Sequence, residues 1–98
     1  MLAVVLGTAL AAGAATGVVA FKKSGCDYFV VNSAAGLALL KWHEGYFPEP
    51  GDVVDGNFET YGFQDLHTFP TAARSRVWVE AYGLSTDAVV QQLRRHCI

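Results

Sequence analysis

Side chains able to do chemistry are few in this 98-residue chain, and their spacing suits little of it. His43 stands beside Glu44 and His67 lies two positions after Asp65, so the residue types alone permit a metal site. Neighbours on a strand point to opposite faces, however, which keeps such a pair from sharing one ion without a bend. The absence of HxxxH and CxxC spacings also argues against a metal. Ser24, Ser33, Ser75 and Ser85 sit where a turn or a helix cap explains them, and none stands in a GxSxG elbow. Asp52 with Asp55 or Glu59 offers a carboxylate pair of the glycosidase kind, but nothing in the spacing sets their separation. The expectation is therefore a protein without catalytic residues, metal or cofactor. A small hydrolase or metal-dependent enzyme is the remotest reading.

The charge distribution says more. Between Lys41 and Arg74 there is no Lys or Arg, yet Glu44, Glu49, Asp52, Asp55, Glu59 and Asp65 all fall there. Tyr46, Phe47, Tyr61 and Phe63 are interleaved with them. Such a surface repels phosphate backbones, so nucleic acid is not the expected partner. It suits a protein or peptide, favourably a basic or proline-containing one, laid on an aromatic platform. The partner-binding set is then Tyr46, Phe47, Glu49, Asp52, Asp55, Glu59, Tyr61 and Phe63. The competing reading is a solvated acidic face whose rings pack inward, with one of Tyr46 and Phe47 folding back as a lid on the core.

Cys26 and Cys97 bracket the part of the chain that carries these residues. An even count at the two ends of a small domain, behind an export-like segment, reads as a disulfide. Closing so long a loop restricts the denatured chain by about 4 kcal/mol in the chain-entropy model. A domain this small buries a modest core and gains from the tie. Two unpaired cysteines remain the alternative.

That export-like segment is Met1 to Ala20. The composition, 52% hydrophobic and 16% charged, is more apolar than usual, and much of the excess lies here, where no side chain is charged. Residues 1–20 read as an apolar helix, either a signal peptide or a membrane anchor. Ala12-Gly13-Ala14 and Val18-Val19-Ala20 both satisfy the small-residue rule for cleavage. Against cleavage, no Lys or Arg precedes the run, and Lys22-Lys23 follows it. Residues 21–25 read as a linker and 26–98 as the folded domain. Any membrane contact is expected through residues 1–20 alone.

Several elements must position the aromatic and acidic residues. The densest apolar patterning is Cys26 to His43, where Tyr28 to Val31 and Leu37 to His43 flank Asn32-Ser33-Ala34-Ala35-Gly36, a hairpin signal. A buried helix over Ala34 to Trp42 is the competing reading. Gly45, Pro48, Pro50 and Gly51 make Glu44 to Gly51 a loop. Short strands are expected at Asp52 to Asp55 and from Phe58 to Phe69 with a break at Gly62. Pro70 to Ser75 is a turn. Arg76 to Tyr82 alternates, with Val77, Val79 and Ala81 on one face and Arg76, Trp78, Glu80 and Tyr82 on the wet one. Ser85 or Thr86 caps a helix over 86–97 whose apolar side holds Val89, Val90, Leu93 and Cys97, and which should lie across an open end or face of the sheet.

The run Gly51-Asp52-Val53-Val54-Asp55-Gly56 resembles the turn and strand entry of small SH3-like and OB-like barrels, such as those of exported bacterial proteins. The elements sum to about five strands and one helix, a mainly β fold, and with the resemblance they imply a five-stranded SH3-like or OB-like barrel with one C-terminal helix. An open α+β sheet is the alternative. The functional expectation is a non-catalytic protein-binding module of the cell envelope, periplasmic or secreted. A membrane-anchored accessory subunit of an envelope complex is the second reading.

Overall fold

The hairpin forms as the turn chemistry requires. In the computed structural model, which describes residues 15–97, β2 (Tyr28–Ser33) and β3 (Gly36–Gly45) pair antiparallel from Tyr28 opposite Lys41 to Ser33 opposite Gly36. Gly36 sits at φ 116°, and Ser33 Oγ accepts the Ala35 amide at 3.3 Å and donates to the Gly36 carbonyl at 3.3 Å. The remaining strands are β1 (Ala15–Lys22), β4 (Val53–Gly56), β5 (Gly62–Phe69) and β6 (Ala73–Leu84), and α1 (Thr86–His96) follows them. All pairings are antiparallel, and the order β1-β2-β3-β6-β5-β4 closes on itself as a barrel. An open sheet is thereby excluded.

Six strands rather than five build the barrel, because β1 occupies sequence expected to be helix and linker. Residues 15–22 are hydrogen-bonded to β2 on one edge and to β4 on the other, so the barrel includes residues upstream of Cys26. Gly17 and Val19 face inward while Thr16, Val18 and Ala20 face out. Val18 and Ala20 are themselves apolar, which hides the two-residue period from a reading of hydrophobicity alone. The upstream part of the expected apolar helix, residues 1–14, lies outside the described residues. Among the described residues no helix is long and apolar enough to cross a membrane.

Two apolar clusters share the hairpin. Inside the barrel, Val19, Phe29, Val31, Ala38, Leu40, Val54, Leu66, Val77 and Val79 form the main core. Outside it, Val30 and Leu39 pack beneath Val89 of α1, with Tyr28, Leu37, Leu84 and Leu93 around them. β2 and β3 are therefore apolar on both faces, as strands covered on both sides must be. The helix lies on the outer wall over the hairpin rather than across an end.

The ends are closed by the chain itself. Strand directions place residues 46–52 at one end and residues 57–61 at the other. At the first end the β3–β4 crossover buries Pro48 and lays Phe47 over the core. At the second, Phe58 is fully buried, so β5 begins at Gly62 and not at Phe58 as expected. Its side chain is spent as a plug, and a Thr60 hydroxyl to Asn57 side-chain bond of 2.9 Å ties the turn around it. β6 also departs from simple alternation. Leu40 pairs with Val79 and Leu39 with Ala81, so Glu80 is an extra residue in the ladder. A bulge of this kind inverts the faces beyond it, and Tyr82, expected on the wet face, packs against the inner core.

The helix obeys its sequence signals. Ser85 is the N-cap, accepting the Ala88 amide at 3.2 Å, and Asp87 and Arg94, Arg95 and His96 sit at the favourable poles. Cys97 closes the helix and forms a disulfide with Cys26, their Cα atoms 5.5 Å apart and 71 positions distant in sequence.

Gly17 offers the sharpest test of the closure. A Cβ there would lie 2.6 Å from Val31 Cγ1, 2.7 Å from the Asn32 carbonyl oxygen and 3.2 Å from the Phe58 ring. Gly17→Ala should therefore destabilise the domain by about 1–3 kcal/mol in urea denaturation, since neither a backbone oxygen nor the plug has room to retreat. Unchanged stability would mean that β1 is not held where described.

Candidate functional site

The eight residues expected to bind a partner do not form one surface. Tyr46, Phe47, Glu49 and Asp52 belong to the crossover at one barrel end, and Glu59 and Tyr61 to the turn at the other. Asp55 lies on β4 opposite His67, and Phe63 lies on the outer wall of β5.

The crossover is organised around its own contacts. The Tyr46 hydroxyl donates to Asp52 Oδ2 at 2.7 Å, and the Glu49 amide donates to the same oxygen at 2.9 Å. That bond to Asp52, with partial burial and the charges of Asp52 and Glu49, raises the Tyr46 pKa above the usual phenol value. Lys22 Nζ is 2.7 Å from Glu49 and 3.9 Å from the centre of the Phe47 ring. Phe47 stacks on Trp42 at 5.0 Å and meets Phe29 edge-on at 5.7 Å. The Ser75 hydroxyl donates to the Tyr46 carbonyl, and the Tyr46 amide donates to the Arg74 carbonyl at 3.1 Å. Phe47 thus acts as the lid on the core, and Asp52 and Glu49 are committed to holding the loop.

A different set of rings stands in the open. Lys41, Trp78 and Phe63 are register partners across β3, β6 and β5. Phe63 meets Trp78 edge-on at 4.9 Å and His43 edge-on at 4.8 Å, with the Arg76 guanidinium 5.0 Å from its centre. Tyr61 leans on Tyr82 at 4.8 Å. Tyr61 is 63% exposed, Phe63 45% and Trp78 36%. The Trp78 indole donates to Glu80 at 3.2 Å, while Arg74 and Arg76 reach Asp65 at 3.0 and 3.4 Å. Those pairs are exposed and contribute about 1 kcal/mol or less each, so they order the wall more than they stabilise it.

Past Glu80 the polar contacts continue to the helix end. His96 Nε2 lies 3.9 Å from Glu80 and its ring stacks on Tyr28 at 4.4 Å. Burial, then the Glu80 charge, raises the Tyr28 pKa. Of the residues considered for a metal, His43 packs on Phe63 and Asp65 is held by two arginines. Among the described residues no three His, Cys, Asp or Glu side chains gather to hold an ion.

Trp78 and His43 are rings of this wall that the expected set lacked. Strand alternation had placed Trp78 on the wet face, but only the pairing of β6 with β5 and β3 brings it against Phe63 and Lys41. Comparison of the chain with family models, curated proteins and solved structures finds no match.

The two crossover aromatics should separate cleanly. Phe47→Ala, which removes a ring from between Phe29 and Trp42, should cost about 2–4 kcal/mol in thermal or urea unfolding. Tyr46→Ala, losing an exposed ring and one surface hydrogen bond, should cost about 1 kcal/mol. Equal losses would show that the lid is not Phe47.

Proposed function

We propose that the chain is an exported, non-catalytic module that binds a protein or peptide on the outer wall of β3, β6 and β5. The observation that carries this reading is the contiguous exposed aromatic surface of Phe63, Trp78 and His43. Rings of this size on a rigid wall give large contact area at little entropic cost, which is what a binding hot spot needs. SH3-like barrels take proline-containing segments on aromatic-lined surfaces, and this is the fold analogy on which the peptide reading draws. Glu44, the register partner of Arg76 on this wall, forms no ion pair among the described residues and leaves a carboxylate for a basic group of the partner.

Peptides selected from a displayed random library against the oxidised protein should be enriched in proline with Lys or Arg. Trp78→Ala and Phe63→Ala should each weaken a selected peptide at least tenfold while shifting the melting temperature by only a few degrees. Tyr46→Ala should bind as the parent does. Selection of no peptide, or undiminished binding by both wall variants, would sink the proposal.

Export is supported by the Cys26–Cys97 disulfide and by the uncharged apolar run before β1. The barrel changes which cleavage position is compatible with folding. Cleavage after Ala20 would remove six of the eight residues of β1, whereas cleavage after Ala14 leaves the strand whole. Intact mass of the secreted protein should therefore correspond to a chain beginning at Ala15, with no alkylation before reduction and two alkylated cysteines after it. An N-terminus at Phe21 would refute the barrel as described, and an intact Met1 would favour the anchored accessory subunit.

A further inference from the structure

On the side of the barrel away from the aromatic wall, a groove of about 490 Å³ runs between α1 and β1. Its floor is Ala20, Val30 and Leu37, and one flank is Val89, Val90 and Leu93 of the helix. The other flank is Phe21, turned outward by a register shift between Val19 and Phe21 in the pairing with β2. The short side chain of Ala20 leaves a depression where a longer outward residue would fill the space. Phe21 is 45% exposed and Val90 39%, so the groove has no occupant among the described residues. The disulfide beside it, at Cys97, fixes the helix end to the turn after β1 and holds the flanks apart.

Two features decide what fits. Lys23 and Arg94 both line the groove, neither forms an ion pair among the described residues, and no acidic side chain lines it. The lining also offers almost no hydrogen-bonding partner, Thr86 being its one uncharged polar side chain. A peptide laid there would leave backbone N–H and C=O groups unpaired, which is costly. Strand addition is closed as well, because β1 already pairs along both edges. An alkyl chain needs no such partners, and its volume range suits a pocket of this size.

From the apolar channel and the two cations that line it we infer that the groove binds a free single-chain anionic amphiphile, such as a fatty acid, with the chain on Ala20 and the carboxylate at Lys23 and Arg94. This site is independent of the peptide-binding wall. Affinity should grow about fourfold for each added methylene until the groove is full.

Isothermal titration of the oxidised protein with octanoate, decanoate and dodecanoate, each below its micelle concentration, tests the assignment. Saturable one-to-one binding that tightens along the series is expected. Lys23→Glu with Arg94→Glu should weaken dodecanoate at least tenfold, and Ala20→Phe, filling the floor at an outward position, should abolish binding while the melting curve stays close to the parent's. Dodecyltrimethylammonium, with the opposite charge, should not bind. No binding of dodecanoate, equal binding of the cationic amphiphile, or undiminished binding by both variants would each overturn the proposal. So would co-sedimentation with phosphatidylglycerol vesicles without saturable dodecanoate binding, which would assign the groove to a membrane surface.

Discussion

Strand β1 is hydrogen-bonded to β2 along one edge and to β4 along the other, and without it the other five strands would be an open sheet with two exposed edges. Closure sets demanding local conditions. Gly17 has no room for a Cβ between Val31, Asn32 and Phe58, and at Gly56 a Cβ would lie 2.6 Å from the Asp65 carbonyl oxygen. The same closure decides how the chain must travel. β3 and β4 are consecutive in sequence but not adjacent in the barrel, so the segment between them crosses the open end, and Phe47 and Pro48 seal it on the way.

With the interior filled by ten buried residues, the outer wall becomes the place where the domain differs from side to side. One sector lies under α1, where Val30 and Leu39 meet Val89. So short a helix is marginal by itself. It holds its place through a small apolar seam and through the disulfide at its C-cap, whose long loop restricts the unfolded chain by about 4 kcal/mol. The helix divides the rest of the wall into an aromatic face on β3, β6 and β5 and an apolar groove against β1.

These two surfaces have different physical character. The aromatic face has rings locked edge to edge and ordered by Arg76, Asp65 and Glu80, which suits a partner that supplies its own hydrogen bonds and stacks over the rings. The groove has an apolar lining and cations near its rim, which suits a chain that needs burial and carries one charge. Both are built by side chains pointing away from the core, and neither requires the barrel to deform.

The hairpin of Tyr28 to Gly45, the capped helix from Thr86 and the pairing of Cys26 with Cys97 were legible in the sequence, because each rests on local turn chemistry, helix periodicity or simple cysteine arithmetic. Mainly β character with a C-terminal helix followed from the same signals. What the sequence alone determined was therefore the hairpin, the helix and the cysteine pairing, each a matter of local signals. Only the tertiary structure decided that Ala15–Lys22 is a barrel strand, since apolar residues on both its faces erase the alternation that identifies one. It also decided that Phe47 and Phe58 are plugs, that Tyr82 turns inward beyond the Glu80 bulge, and that Trp78 rather than Tyr46 sits beside Phe63. The reason is common to all of these: which face a side chain occupies, and which ring it meets, is set by register between strands far apart in sequence, and register is fixed by closing the barrel.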